Sequence, residues 1–184
     1  IRPMIGVVEL ESVAPHQIDH GGNMDFNSIQ SNSTVHIKAQ KPGGYLSLGD
    51  VHARMGDGEL TGTGVEIDST VTLKVDRSPG FPTSSPVVEK RQVVESTAEF
   101  LTSGRGANWE EALKIAWSEM VGLIAAHYDT TIEYANLIVG TIGDARPGYA
   151  AGMLNNRGSL SENYVTCQIA ITKELRRTGQ PFKP

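Results

Sequence analysis

The sequence predicts an α+β fold dominated by β-structure, with twisted mixed or antiparallel sheets, or a sandwich, and two helices packed on the sheet near the carboxyl-terminal end. Three observations support this prediction. The first hundred residues contain short apolar or alternating runs separated by turn-forming residues, which is typical of short strands. Residues 109–139 instead carry apolar side chains at helical spacing. A last apolar run, residues 165–171, has the composition of a buried strand.

The strands are predicted from apolar runs and from alternation of apolar with polar residues. Such alternation indicates a strand with one buried face. Val71, Leu73 and Val75 alternate most regularly. The predicted strands, in chain order, are residues 4–10, 35–39, 45–52, 60–75, 87–101 and 165–171. Residues 16–32, 77–86 and 146–163 are rich in Gly, Asn, Ser or Pro and are predicted to be loops and connections.

Two helices are predicted from their capping residues. Asn108 followed by Glu111 matches a capping box, so a first amphipathic helix is expected over about residues 109–127. Thr130 and Glu133 repeat the pattern and predict a shorter helix through about residue 139, ended by the glycines at 140 and 143. Both helices should pack on the sheet.

Composition limits the classes of function. The 184 residues suffice for one β-rich domain, and the net charge of −5 without basic runs argues against nucleic acid and anionic membranes as partners. The single Cys167 excludes an internal disulfide and fits a cytoplasmic location; it is predicted to be a core thiol. The chain begins on Ile1 and enters an apolar run almost at once, so we expect a fragment or processed product of a longer protein.

Asp50 and His52 are the first candidate functional residues. In an extended strand they share a face with Leu46 and Leu48, and the two leucines predict that this face points inward. A carboxylate and an imidazole two residues apart can both bind one divalent metal. The alternative, which the spacing leaves open, is that the two side chains only bond to each other or to the backbone.

Two glycine-containing segments lie on either side of this pair in the chain. Residues 20–25 read His-Gly-Gly-Asn-Met-Asp, and adjacent glycines can expose N–H groups that stabilise an oxyanion. Residues 56–59 read Gly-Asp-Gly-Glu and add two carboxylates. A plain glycine turn and a plain hairpin turn remain the alternatives. No Gly-x-Ser-x-Gly elbow and no phosphate-binding loop occur in the sequence.

Taken together, these segments resemble the acetamidase/formamidase family. The family's HGGN-x-D, GD-x-H and GDGE elements correspond to residues 20–25, 49–52 and 56–59, and residues 62–66 continue the match. Residues 2–6 resemble the start of the family's second half, and residues 134–146 resemble its late helix and the following turn. The order and spacing of the elements agree across most of the chain.

The resemblance implies metal-dependent hydrolysis of short aliphatic amides, of the formamide and acetamide type, to carboxylate and ammonia through a metal-activated water. It also implies a divalent metal, with zinc favoured and calcium or another divalent ion as alternatives, and an assembly of identical subunits. Two alternative functions are kept. One is a hydrolase of lactams, which are cyclic amides. The other is a metal-binding half that is inactive without an amino-terminal segment of the same precursor.

The resemblance also assigns roles to individual residues. The implied metal ligands are His20, Asp50, His52 and Asp25, the last as a ligand or as an orienter of an imidazole. The implied general base is Glu59, with Asp57 or Glu66 as reserves. The residues implied to line the pocket for the amide carbonyl are Gly21, Gly22 and Asn23.

Overall fold

The computed structural model describes residues 1–12, 18–78, 80–90, 99–151 and 164–172. Within them, nine strands and two α-helices follow one another along the chain. The strands are β1 (Met4–Leu10), β2 (Gly21–Asn23), β3 (Ser33–His36), β4 (Leu46–Arg54), β5 (Val65–Glu66), β6 (Val87–Lys90), β7 (Glu99–Gly106), β8 (Asp144–Pro147) and β9 (Val165–Thr172). The helices are α1 (Trp109–Tyr128) and α2 (Ile132–Ile142). A short 3-10 turn, Ile18–His20, leads into β2.

The strands form two antiparallel sheets. The first sheet has the order β2-β1-β4-β5, and the second has the order β3-β6-β7-β9-β8. Helix α1 packs on β7 and β9 and against α2. The predicted fold class, β-dominated with two helices on a sheet, is confirmed. Among the described residues, neither helix combines the length and the hydropathy that a bilayer crossing requires.

The second sheet has one core on each face. On the helix side, the odd-numbered residues of β9 from 165 to 171 are buried with side chains of α1 and α2. On the other side, Ala170 and Leu101 are buried with Met24 and Phe26, which come from the chain that follows β2. Cys167 belongs to the helix-side core, and burial raises the pKa of its thiol to about 12. The prediction that this cysteine is a core thiol is therefore confirmed.

Helix α1 begins as predicted. The Asn108 side chain accepts a hydrogen bond from the backbone N–H of Glu111 at 3.0 Å. The Glu111 carboxylate in turn accepts from the backbone N–H of Ala107 at 2.9 Å. These two bonds satisfy N–H groups at the helix start that have no partner within the helix.

The predicted cap of the second helix was wrong by one residue. Thr131, not Thr130, is the N-cap of α2, and its hydroxyl accepts from the N–H of Tyr134. Thr130 is still part of the end of α1, because its N–H donates to the carbonyl of Ala125. Asp129 is the C-cap of α1, and its left-handed backbone, with φ of 49°, turns the chain just before Thr130 and Thr131. Gly140 lies inside α2, and only Gly143 caps its end.

Three further predictions fail in the described residues. Residues 21–23, predicted to be part of a loop, form β2 because they pair with β1. The strand expected over residues 60–75 is reduced to β5, and Leu73 and Val75 are 47% and 77% exposed. In the described structure this segment pairs with no neighbouring strand. An alternating sequence forms a strand only where it can pair with the edge of a sheet. Arg146 and Pro147 belong to β8 although a loop was predicted. Residues 91–98 of the predicted fifth strand and residues 152–163 of that loop lie outside the described residues.

Candidate active site

The candidate site is centred on the imidazole of His52, which is fully buried at the end of β4. Its Nε2 atom lies 3.1 Å from Oδ1 of Asp50 and 3.0 Å from Oε1 of Glu66. Oε1 of Glu59 lies 4.0 Å from the same nitrogen. One ring nitrogen therefore faces three carboxyl groups.

Asp25 completes this cluster. One ligand atom each from Asp25, Asp50 and His52 lie within 4.8 Å of one another, and the same holds for His52, Glu59 and Glu66. In the described part of the chain, no lysine or arginine lies within ion-pair distance of these four carboxyl groups. We call Asp25, Asp50, His52, Glu59 and Glu66 the acidic cluster.

Backbone geometry at Asp50 positions the pair that the sequence singled out. Asp50 has φ of 55°, in the left-handed region, and the pairing of β4 with β5 shifts register between His52 and Arg54. The simple alternation of faces is therefore interrupted. Leu46 is 41% exposed, so the prediction that its face points inward was wrong. His52 is nevertheless buried, and it contacts Asp50 as the spacing allowed.

Left-handed backbone is concentrated at the cluster. Of the five non-glycine residues with positive φ in the described chain, three are cluster members: Asp25 at 49°, Asp50 at 55° and Glu59 at 43°. Such conformations cost free energy for residues that carry a Cβ, least for Asp and Asn. They persist where the surrounding structure imposes them, and they often occur at functional sites. The three acids are thus held in place by the fold.

Asp25 is the most deeply buried acid of the cluster. Its side chain is 1% exposed, and neither carboxyl oxygen contacts a hydrogen-bond donor. Its backbone N–H donates to the carbonyl of Gly6 in β1 at 3.2 Å, which fixes it beside that strand. Glu59 is the neighbouring acid whose charge affects Asp25 most, and the two carboxyl groups can form a hydrogen bond only when one of them is protonated.

Two of the cluster acids, Asp25 and Glu59, have raised pKa values, and burial is the main cause for both. Burial raises the pKa of Asp25 from 3.8 to about 8, and the negative charges of Glu59 and Asp50 act in the same direction. Burial also raises the pKa of Glu59, with the charges of Asp50 and Glu66 adding to the effect and a hydrogen bond from Asp25 opposing it. A cation placed among these groups would reverse both shifts.

Gly6 and Gly64 leave the space that the cluster side chains occupy. A Cβ atom on Gly6 would lie 2.5 Å from Oδ1 of Asp25 and 2.6 Å from Oδ2 of Asp50, so both carboxyl groups occupy the space of an absent side chain. A Cβ atom on Gly64 would lie 2.6 Å from Nδ1 of His52. Nδ1 also lies 3.3 Å from the sulfur of Met55. Because Nδ1 faces Gly64 and Met55, Nε2 is the nitrogen that faces the carboxyl groups.

These residues fit a divalent cation. Buried carboxyl oxygens without a donor, next to an imidazole nitrogen, are the donor atoms that zinc and similar ions take in proteins. Leaving such oxygens ionised and unpaired would be costly, and a cation removes that cost. The chemistry of the donor set therefore agrees with the metal that the sequence resemblance implies.

The structure does not bring His20 to the cluster. His20 is buried, with Nε2 3.6 Å from Glu9 and Nδ1 3.3 Å from Asp19. It directly precedes Gly21, which pairs with Glu9 near the end of β1. His52 pairs with Met4 at the start of the same strand, five residues away, which corresponds to roughly 17 Å along β1. The predicted ligand set is therefore divided, with Asp25, Asp50 and His52 together and His20 apart.

The three residues predicted to line the pocket for the amide carbonyl lie outside the cluster. Gly21 and Gly22 have φ of 89° and 111° and belong to β2, an edge strand. Gly22 pairs with Val8, four residues along β1 from the position opposite His52, or roughly 13 Å. The carbonyl of Asn23 accepts from the Tyr164 hydroxyl. The carbonyl-binding role of these three residues stays a prediction.

Asp57, the reserve base, is exposed and points elsewhere. Its Oδ1 accepts a hydrogen bond from Nδ2 of Asn27 at 2.7 Å, and its side chain lines a separate cavity. Glu66, the other reserve, does belong to the cluster, with its side chain 52% exposed. Gly6 and Gly64 were given no role from the sequence. Both lie in segments that resemble the family. The sequence alone, however, does not reveal which side chains occupy the space beside each glycine.

The fold and the cluster together define a β-rich protein with a partly buried site of carboxyl and imidazole groups suited to a divalent cation. The family model described as the Acetamidase/Formamidase family matches residues 6–137, and the chain belongs to this family. The sequence resemblance is thereby confirmed.

Several known proteins are similar to the chain over part of their length. A formamidase of Methylophilus methylotrophus is 30% identical over 88 residues, which are 45% of this chain and 22% of that protein. The crystal structure of an acetamidase from Bacillus halodurans superposes with a TM-score of 0.79 at 26% identity, covering 100% of this chain and 58% of that one. An acetamidase from Yersinia enterocolitica gives a TM-score of 0.80 at 27% identity, covering 95% and 49%. The chain thus spans about half the length of the solved acetamidases.

The gap at Gly6 gives a first testable prediction. Replacing Gly6 by Ala forces the carboxyl groups of Asp25 and Asp50 apart, but both are side-chain ends that can rotate, so we expect the chain to fold. We expect zinc affinity to fall by about 10- to 100-fold, as for other residues that orient ligands. Isothermal titration with Zn²⁺ measures this change. Gly49→Ala is the matched control, because a Cβ there meets no atom within 4 Å. Equal affinity in the two variants would contradict the prediction.

Proposed function

We propose that this chain holds the catalytic cation site of an amide hydrolase that converts short aliphatic amides, of the formamide and acetamide type, to carboxylate and ammonia. The observation that carries the proposal is the buried, unpartnered Asp25 carboxyl group beside Asp50 and His52. Membership of the acetamidase/formamidase family supports the reaction. The names of the formamidase and acetamidases to which the chain is similar support the substrates.

In this proposal, Asp25, Asp50 and His52 hold the cation. Zinc is the favoured ion because an imidazole nitrogen is among the donors, and calcium is the alternative because the other donors are carboxyl oxygens. When bound, such an ion supplies positive charge that acidifies water and polarises an amide carbonyl. His52 is kept in one orientation by Met55 and by the gap at Gly64.

Glu59 is proposed to move the proton. It is 7% exposed, fixed by a left-handed backbone, and farther from Nε2 of His52 than either Asp50 or Glu66. Its distance from Nε2 leaves its carboxylate able to take a proton from water, which is the role of a general base. Glu59 accepts a proton as water attacks the carbonyl carbon. The same proton then passes to the nitrogen as the C–N bond breaks, so that ammonia and a carboxylic acid form. The acid ionises to the carboxylate, and its proton is taken up by ammonia or by solvent.

A second candidate is favoured by the extent of the chain. It spans 58% of the Bacillus halodurans acetamidase and 49% of the Yersinia enterocolitica one. The chain can therefore be a cation-binding half that needs further residues for turnover. The cytoplasmic location and the association of identical subunits are also part of the proposal, and they rest on the composition and on the family resemblance, respectively.

An ammonia-release assay on the zinc-loaded chain tests the proposed function. Formamide and acetamide should release ammonia, and removal of the metal by chelation should abolish the release. A γ-lactam, 2-pyrrolidinone, is assayed in parallel by ring opening. Bound zinc with no turnover of any amide would favour the inactive half, and turnover of the lactam alone would favour a cyclic-amide hydrolase. Ammonia release that persists unchanged after verified metal removal would reject the proposal.

A further inference from the structure

A cavity of about 340 Å³ lies beside the acidic cluster and is lined by cationic side chains. Arg2 precedes β1 and Arg54 ends β4, so both come from the first sheet. Lys90 ends β6 and Arg146 lies in β8, so both come from the second sheet. Asp57 is the one carboxylate among its lining residues in the described chain. None of the acidic-cluster residues lines this cavity.

The positive charge of the cavity is only partly compensated. The guanidinium of Arg146 forms a two-pronged ion pair with the buried carboxylate of Glu99, at 2.6 and 2.9 Å, and Lys90 lies 3.9 Å from the same carboxylate. Arg2 and Arg54 have no carboxylate within ion-pair distance in the part of the chain that the structure describes. Burial lowers the pKa of Lys90; the charge of Glu99 opposes this, and those of Arg2 and Arg146 add to it.

A buried hydrogen-bond donor is also present in the cavity wall. Gln168 in β9 is 3% exposed, and its Oε1 accepts from the Ser28 hydroxyl at 2.8 Å. That bond fixes the amide so that Nε2, with its two N–H groups, is buried without a hydrogen-bond partner. Buried donors in native structures are almost always satisfied, so an unsatisfied one in a cavity wall indicates a missing acceptor. An acceptor bound to Gln168 would lie among the cationic side chains of the cavity, so a negatively charged acceptor is favoured.

We propose that this cavity binds the carboxylate group of a small organic anion. A planar carboxylate matches the fork of an arginine guanidinium, and its oxygens can accept the N–H groups of Gln168. Asp144 lies 3.5 Å from Arg146, so Asp57, Glu99 and Asp144 together offset three of the four cations. A single negative charge therefore suits the cavity better than the double charge of a phosphate. The volume lies at the low end for small-molecule sites, which agrees with a ligand of few atoms.

The cavity adjoins the candidate active site. Met55 lines the cavity, and its sulfur also contacts the ring of His52, so one side chain separates the two sites at this point. If the chain is an amide hydrolase as proposed above, the carboxylate can have two sources. It is either the product of hydrolysis or a charged group at the far end of an amide substrate. The binding site itself does not depend on that activity.

Nuclear magnetic resonance of the zinc-loaded chain tests the proposal through the side-chain NH₂ signals of Gln168. Acetate represents the product, succinamate represents an amide with a distal carboxylate, and neutral butyramide is the uncharged control. We expect a saturable shift of these signals with acetate or succinamate and none with butyramide. Tighter binding of succinamate than of acetate would assign the site to the substrate, and the reverse would assign it to the product.

Charge variants separate this site from binding to the cation. Arg54→Gln should weaken carboxylate binding by at least about tenfold, since it removes a charged hydrogen-bond donor. Lys74→Gln makes the same charge change at a residue whose side chain is 88% exposed, outside the cavity, and should have no effect. No shift at Gln168, equal weakening by both variants, or preference for inorganic phosphate would overturn the proposal. Absence of ammonia release would leave the shift in place, so failure of the proposed function is distinguishable.

Discussion

Replacement of His52 by Ala is expected to remove both cation binding and ammonia release. His52 is the residue shared by the two groups of ligand atoms, and its Nε2 atom faces Asp50 and Glu66 at 3.1 and 3.0 Å. No other imidazole belongs to either group in the described residues. Loss of a supporting residue costs roughly 10- to 100-fold in metal affinity, so loss of this central donor should cost more.

Zinc titration and the ammonia assay measure these two effects of His52→Ala separately. His127→Ala is the matched control, because His127 lies at the exposed end of α1 and outside the acidic cluster. Thermal unfolding of both variants shows whether the fold is kept. Full turnover with zinc still bound in His52→Ala would show that the catalytic cation is held elsewhere.

The parts of the fold that the sequence predicts well are those decided by local patterns. Strand β1 and helix α1 follow from an apolar run and from helical spacing behind a capping box. The failures have non-local causes. The alternation at Leu73 and Val75 is as regular as in a real strand, but whether a sheet receives it depends on residues far away in the chain. Likewise, Thr130 and Thr131 are both plausible caps, and the turn at Asp129 selects the second.

The candidate site was predicted in part for the same reason. Asp50 and His52 are two residues apart, so their contact follows from local geometry. Asp25 joins them only because β2 runs antiparallel to β1, so that the chain after β2 passes alongside Gly6. That direction also carries His20 to the opposite end of β1, although the two residues stand in one motif. Membership of one motif therefore does not show that two residues meet in the fold.

Replacement of Glu59 by Gln is expected to lower turnover by about 100- to 10,000-fold, the range that general acid–base catalysis contributes. Gln keeps the size of the side chain but cannot take a proton from water. Because Glu59 is the cluster acid farthest from Nε2 of His52 among the three that face it, we expect zinc affinity to change little. Removal of one negative charge from a crowded cluster should not unfold the chain, since burial already favours the neutral form of this acid.

Two other acids provide the comparison for Glu59→Gln. Asp57→Asn changes the reserve base that bonds to Asn27 and lies outside the cluster, so its zinc-loaded turnover should stay far above that of Glu59→Gln. Glu66→Gln removes the same negative charge from a half-exposed cluster acid. Comparing it with Glu59→Gln shows whether turnover is lost through proton transfer or through loss of negative charge in general. If Glu59→Gln loses zinc together with turnover, Glu59 is a ligand and not the base. If Glu66→Gln alone abolishes turnover while zinc stays bound, the proton is carried by Glu66, and the raised pKa of Glu59 reflects only its burial among other acids.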